Sequence, residues 1–209
     1  MDIFKIMIAI TGAYILGSVP TAVWIGKIFH GIDVREHGSG NAGATNVIRV
    51  LGWKTGTPVL ILDILKGWLA AMLPLFLNVA EPHSAALTNM QIVAGISAIL
   101  GHIFPFFAGF RGGKGVATIS GVLLAIHPLL TLSCLGVFIC ILLITDYVSV
   151  SSMSAGITFP LFLLVFFDTP SLFFRIFSIM VALALIFTHR KNIKRLVRGE
   201  EPKFLRKKQ

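Results

Sequence analysis

Seven apolar runs, at roughly residues 3–27, 57–78, 91–107, 116–127, 129–145, 148–167 and 171–188, take up most of the chain and restrict what it can fold into. A run of about 20 apolar residues matches the thickness of a bilayer's hydrocarbon core, where every backbone amide must be satisfied inside the segment, so each is expected to be a helix. Of the 209 residues, 56% are hydrophobic and only 13% charged, and the mean hydropathy is +0.87. The expectation is an all-α integral membrane protein of about seven transmembrane helices. Seventeen phenylalanines and twenty glycines suit lipid-facing surfaces and close helix contacts. No linker divides the chain, so residues 1–209 are expected to form a single transmembrane domain with a basic tail at about 190–209. The first run lacks a strong cationic n-region and a small-residue cleavage site and reads as a retained helix. Runs 91–107 and 116–127 are short for spans. The loop between them is expected to dip below the headgroups, which backbone tolerates only when buried by protein or lining a wet cavity.

Charge gives an orientation. Lys27, Arg35, Arg49 and Lys54 flank or occupy the second connection, Arg111 and Lys114 the fourth, and nine of the eighteen Lys and Arg lie between Arg190 and Lys208. The connections near 78–90, at His127-Pro128 and near 167–171, with Asp168 and Pro170, carry no Lys or Arg. The positive-inside bias puts the N-terminus outside and the C-terminus in the cytoplasm. The net charge of +9 then belongs to a tail facing anionic headgroups rather than to a nucleic-acid surface. Cys134 and Cys140 share one apolar run, six residues apart, and indicate neither a disulfide nor a metal pair.

Against this background the run Gly109-Phe-Arg-Gly-Gly-Lys-Gly-Val-Ala-Thr118 stands out. Its glycines let backbone N–H groups approach phosphate oxygens, Arg111 and Lys114 add charge, and a helix starting near Val116 aims its positive end at the same place. It is not a nucleotide P-loop: Ala108 stands where the first glycine belongs, and Gly115 replaces the hydroxyl that would hold magnesium. The expectation is phosphate without metal. The plainer reading is a loop whose glycines turn the chain and whose cations mark a membrane face.

A second polar run, His37-Gly-Ser-Gly-Asn-Ala-Gly-Ala-Thr-Asn46 followed by Arg49, offers the Ser39 hydroxyl, the Asn41 and Asn46 amides and a guanidinium, a set suited to another phosphate or a polyol. Its plain alternative is glycines at helix contacts and an arginine at the headgroups. Asp63 and Lys66, three apart on one helix face, can neutralise each other, as scaffold or as site. His102 leads into the glycine loop, and Ser149 is either a functional hydroxyl or an N-cap. His189 and Asn192 share a face at the end of the seventh run, which reads as a snorkelling helix end or as the closing side of a pocket.

Three motifs occur in order: Gly38-Ser-Gly-Asn-Ala-Gly-Ala-Thr-Asn46 with Arg49, Gly-His102-Ile-Phe-Pro leading to Gly-Phe-Arg-Gly-Gly-Lys-Gly-Val-Ala-Thr118, and His189-x-x-Asn192. Together they resemble the bacterial acyl-phosphate glycerol-3-phosphate acyltransferases, the PlsY family, over nearly the whole chain. Asp63-x-x-Lys66-Gly67, Tyr147-Val-Ser149 and Gly199-Glu-Glu201 look like further family positions; Lys191 departs from members with an acidic residue there. The resemblance implies transfer of an acyl group from a fatty acyl phosphate to the 1-hydroxyl of sn-glycerol 3-phosphate, giving lysophosphatidic acid and inorganic phosphate, the first acylation of phospholipid synthesis. It implies no cofactor, no metal and no nucleic acid, is compatible with a monomeric enzyme among membrane lipid, and puts the site at the cytoplasmic side of a bacterial inner membrane. By resemblance Ser39, Ser149, His189 and Asn192 are the catalytic residues, and Asn41, Arg49, His102, Arg111, Gly112, Gly113, Lys114 and Gly115 bind substrate. The general base is either His189 or a phosphate of the donor.

None of the six histidines has Asp five positions on, which argues against the His-x-x-x-x-Asp chemistry of soluble-type acyltransferases. The repeated aspartates of CDP-alcohol transferases are missing too. A transporter for a phosphorylated solute would need polar residues continuing outward, whereas these cluster at one face. A lipid- or nucleic-acid-binding scaffold leaves both glycine loops unexplained.

Overall fold

The computed structural model describes residues 2–167 and 171–205, so Asp168, Pro170 and the last four residues of the basic tail lie outside it. The described residues are helical, without strands, and fall into two compact units, residues 1–126 and 127–209.

In the first unit, α1 (Ile3–Ser18) and α2 (Thr21–His30) share one apolar stretch that the sequence suggests is continuous. It breaks at Pro20, which has no N–H to donate and turns Val19 to extended φ/ψ of −61° and 112°. Then come α3 (Ala44–Leu51), α4 (Trp53–Phe76), α5 (Ala85–Ile103) and α6 (Val116–Ile126). α4 packs on α1, α5 and α6, and α1 on α5. These contacts are close because glycine lies at them: a Cβ on Gly67 or Gly121 would overlap the carbonyls of Thr118 or Ile64, and one on Gly17 or Gly101 those of Ala98 or Tyr14. With little hydrophobic drive between helices in lipid, such small-residue seams let dispersion hold the bundle. Ala13, Ala70, Ala94 and Ala98 form one buried cluster, and Ala22, Val34, Ala44, Val47 and Val59 another.

The second unit holds α7 (Pro128–Thr145), α8 (Val148–Val165), α9 (Leu172–Thr188) and α10 (Arg190–Val197). α8 packs between α7 and α9, over buried Phe159, Leu163, Phe174 and Phe177. α9 and α10 meet at a bend of 55° at His189.

All seven apolar runs lie largely in helices, which differ in length. Among the described residues, five helical stretches are long and apolar enough to cross a membrane, six if the bent α9–α10 pair is one span. The 91–107 run, expected to be short, belongs to a helix of 19 residues that starts at the Ser84 N-cap. α6 has only 11 residues, about 16 Å at 1.5 Å per residue, roughly half a hydrocarbon core. The protein is an integral membrane protein.

Candidate active site

In the first unit two loops meet. The loop from Gly31 to Gly43 turns through Gly38 and Gly40, with φ of 61° and 71°, and is organised by Asn46. The Asn46 amide donates to the carbonyls of Val34 at 2.8 Å and His37 at 3.1 Å, while its oxygen accepts the Ser39 N–H at 2.8 Å and the Ser39 hydroxyl at 3.0 Å. Ser39 is therefore held at the mouth of α3, and Arg49, three residues after Asn46, lies on the same face of that helix.

The glycine loop follows α5 through a short 3₁₀ turn, Phe106–Ala108, and reverses at Gly109 and Phe110, both left-handed with φ of 63° and 59°. Two of the loop's amides are used within the fold. The Gly112 N–H donates to the Ile103 carbonyl and the Gly113 N–H to that of His102, each at 3.1 Å, so these two glycines cap the end of α5. Their lack of side chains serves close approach: a Cβ on Gly112 would overlap the His102 carbonyl, and one on Gly113 the His102 ring. Beyond them, Gly115 takes φ of 83° and α6 begins, its first intrahelical bond running from Ile119 to the Gly115 carbonyl. The amides of Val116, Ala117 and Thr118 have no acceptor within their own helix. Lys114, half-buried, precedes them, and Arg111 is exposed.

The loops touch. Ala42 and Gly113 are close enough that a Cβ on Gly113 would lie 3.1 Å from the Ala42 carbonyl. Beneath them sits a buried polar group from three helices. The Thr21 hydroxyl donates to Asp63 at 2.5 Å, and Lys66 pairs with Asp63 at 2.8 Å while donating to the Val19 carbonyl at 2.9 Å. His102 Nδ1 is 3.8 Å from the same carboxylate. Asp63 and Lys66 do neutralise each other, and His102 stands between that pair and Gly113. A small void lined by Thr21, Ala42, Lys66, His102, Gly112 and Gly113 shares Val19, Thr21 and Lys66 with an apolar groove of about 320 Å³ bordered by Leu16, Trp24, Ile25, Leu62, Leu65 and Leu69.

In the second unit Glu201 gathers the remaining residues. Its Oε1 accepts from the Ser149 hydroxyl at 2.8 Å and the Asn192 amide at 2.6 Å, and its Oε2 from Arg195 Nε at 2.7 Å. Ser149 is thus no N-cap, since Tyr147 occupies that position. Burial pushes the Glu201 carboxyl up, but the hydrogen bonds from Asn192, Arg195 and Ser149 and the Arg195 charge outweigh it and hold the group below the ordinary carboxylate range. The chain after α10 is tied back by Asp146, whose carboxylate accepts the N–H groups of Phe204 at 3.1 Å and Leu205 at 2.6 Å. His189, 2% exposed, donates from Nδ1 to the Leu185 carbonyl at 2.8 Å. In the neutral ring Nε2 is then the basic nitrogen.

A glycerol-3-phosphate acyltransferase family model matches residues 7–199. The chain belongs to the glycerol-3-phosphate acyltransferase family. Among relatives bearing that name, the protein of Listeria monocytogenes is 47% identical, over 91% of this chain and 92% of its own. That of Chlorobaculum parvum is 44% identical, over 92% and 93%. The fold resembles the crystal structure of PlsY (YgiH), an integral membrane glycerol 3-phosphate acyltransferase, in its glycerol 3-phosphate form, with a TM-score of 0.85, 39% identity and 95% of each chain covered. Its lysophosphatidic acid form gives 0.82 and 38%, over 95% of this chain and 94% of that one. The acyltransferase match runs through both units.

Two of these arrangements, one in each unit, escape reasoning from residue types. Glu201 sits in a tail of mixed charges, and only its resemblance to a family position marks it; its three partners come from α8 and α10. Arg35 reads in the sequence as one more topology-setting cation, yet it contacts the glycine loop directly.

Proposed function

We propose that this glycerol-3-phosphate acyltransferase takes its acyl group from a fatty acyl phosphate and transfers it to the 1-hydroxyl of sn-glycerol 3-phosphate. The products are lysophosphatidic acid and inorganic phosphate. The observation that carries this reading is the meeting of the Ser39 and Gly112–Gly115 loops beside the apolar groove of the first unit. An acyl phosphate is an anionic head on a long apolar chain, and the groove shares Val19, Thr21 and Lys66 with the small void that Gly112 and Gly113 line.

The hydroxyl oxygen of the acceptor attacks the acyl carbonyl carbon, an ester C–O bond forms, and the anhydride C–O bond breaks to release phosphate, which leaves with the electron pair. Phosphate is a good leaving group, so the protein's work is to hold two mutually repelling anions together and orient the hydroxyl. Lys114, Arg111 and the start of α6 serve one phosphate; Arg49, Ser39 and Asn41 serve the other. The proton goes to His189 Nε2 or to the donor phosphate. His189→Gln separates these: near-wild-type kcat at saturating substrates assigns the proton to the phosphate, and a fall of about 100-fold or more assigns it to His189.

Residues of both units belong to one acyltransferase domain in this reading, in line with the family match across residues 7–199. The cation distribution orients the protein with its N-terminus outside and these loops at the cytoplasmic face of a bacterial inner membrane. The test is phosphate release by purified protein in detergent from palmitoyl phosphate and glycerol 3-phosphate, with chelator present. Release that requires both substrates supports the reading; release of coenzyme A from palmitoyl-CoA instead, or no turnover, overturns the choice of donor.

A further inference from the structure

We infer that Arg35 is a positioning residue that clamps the glycine loop against the Gly31–Gly43 loop, fixing the phosphate site through the loop's backbone. The inference rests on the proposed phosphate role of the glycine loop.

Every nitrogen of the Arg35 guanidinium is used. Nε donates to Asp33 Oδ1 at 2.9 Å and Nη2 to Oδ2 at 2.7 Å, the bidentate fork that a guanidinium makes with a carboxylate. Nη1 crosses to the other loop and donates to the carbonyls of Ala108 at 2.8 Å and Arg111 at 3.3 Å. Asp33 is itself fixed, since Oδ1 also accepts the Arg35 backbone N–H at 3.0 Å and Lys27 lies 3.3 Å from Oδ2. The side chains of Arg35 and Asp33 are only 15% and 11% exposed. Hydrogen bonds from Arg35 hold the Asp33 carboxyl well below its usual range, which favours the charged pair.

The two carbonyls that Arg35 grips bracket Gly109 and Phe110, the residues whose left-handed backbone reverses the chain. The reversal is closed on itself by the N–H groups of Ala108 and Phe110, which donate to the Pro105 carbonyl at 3.1 and 2.9 Å, and Gly112 and Gly113 are bonded to Ile103 and His102; Arg35 is what ties the reversal to the neighbouring loop. Without Arg35 the reversal keeps only its local main-chain bonds to Pro105 and loses its tie to the Gly31–Gly43 loop, so the direction in which Lys114 and the start of α6 face is set less firmly. A guanidinium acting on main-chain carbonyls contributes nothing to the reacting atoms. Its loss should therefore act on the affinity of whichever substrate puts its phosphate on this loop.

The experiment is steady-state kinetics of Arg35→Ala, Arg35→Lys and Asp33→Asn, with glycerol 3-phosphate and palmitoyl phosphate varied in turn. Arg35→Ala should raise KM for one substrate about 10- to 100-fold, with the other KM within about threefold and a fall in kcat smaller than that rise in KM, because small misplacement of a binding loop costs on that scale. Arg35→Lys should show most of the same defect, since an ammonium cannot hold the carboxylate fork and both carbonyls at once. Asp33→Asn should affect the same KM, and the double variant Asp33→Asn/Arg35→Ala should be no worse than Arg35→Ala alone. Wild-type KM values in Arg35→Ala, equal change in both KM values, loss confined to kcat, or full recovery by Arg35→Lys would each overturn the clamp. If Arg35→Ala does not fold, Arg35→Lys and Asp33→Asn are read by the same criteria. An inactive wild-type protein would refute the proposed function, whereas an active one with these variants unaffected refutes only the clamp.

Discussion

Lys114→Ala is expected to lower kcat/KM by about 100- to 1,000-fold, the scale on which removing one preorganised group from a charge-stabilising site acts. The half-buried ammonium stands between two glycines at the entry to α6, where Val116, Ala117 and Thr118 direct their amides away from the helix. Neither substrate phosphate can be brought close to the other without cationic compensation, so the loss should appear in KM for one substrate and in kcat together. Lys114→Arg should recover part of the activity, because charge is restored but the planar fork differs in reach from a point charge. The measurement is phosphate release with each substrate varied. The helical content of the variant, by circular dichroism in detergent, should match wild type. An activity within about threefold of wild type would remove Lys114 from the site.

Glu201→Gln is the second large effect. The carboxylate accepts from Ser149, Asn192 and Arg195 at once, and its side chain is only 5% exposed. An amide offers one acceptor oxygen and two donors, so at least one of those three partners then faces another donor. Losing these charge-assisted bonds should cost about 2–4 kcal/mol and displace both Ser149 and Asn192, lowering turnover by about 100-fold. The pH dependence carries a sign. With its folded titration below the ordinary value of 4.5, Glu201 contributes stability that is complete above that value and lost as pH falls through the lower folded one. Thermal denaturation from pH 7 down to 3.5 should show an acid-side loss in wild type that is shallower in Glu201→Gln. Equal slopes would mean that the carboxylate is not the linked group.

The helical architecture was legible because hydropathy and bilayer thickness leave few options, and each apolar run lies largely in helix. What hydropathy missed was where helices begin and break. α5 starts after the Ser84 cap, at Ala85, six residues before the apolar run, since Thr88 and Asn89 interrupt the hydropathy without interrupting the helix. Pro20 divides a stretch that composition alone joins. At the candidate site, residue types pointed to Ser39 and the glycine loop, but not to which atoms bond to which. Gly112 and Gly113 look like phosphate amides in sequence, and in space they bond to α5, because a loop leaving a helix end competes for that helix's last carbonyls. Arg35 and Glu201 were obscured for a different reason. Their roles depend on partners 73 and 52 residues away, a separation over which no local pattern carries information.

That capping of α5 also bears on the electrostatics of anion binding. The last turn of a helix concentrates about half a negative charge on its unbonded carbonyls, and α5 ends directly beside the loop assigned to a phosphate. Left bare, Ile103 and His102 would oppose the anion that Lys114 and α6 attract. Bonded by the glycine N–H groups, they are neutralised locally, so the loop masks the negative end of one helix while presenting the positive end of the next.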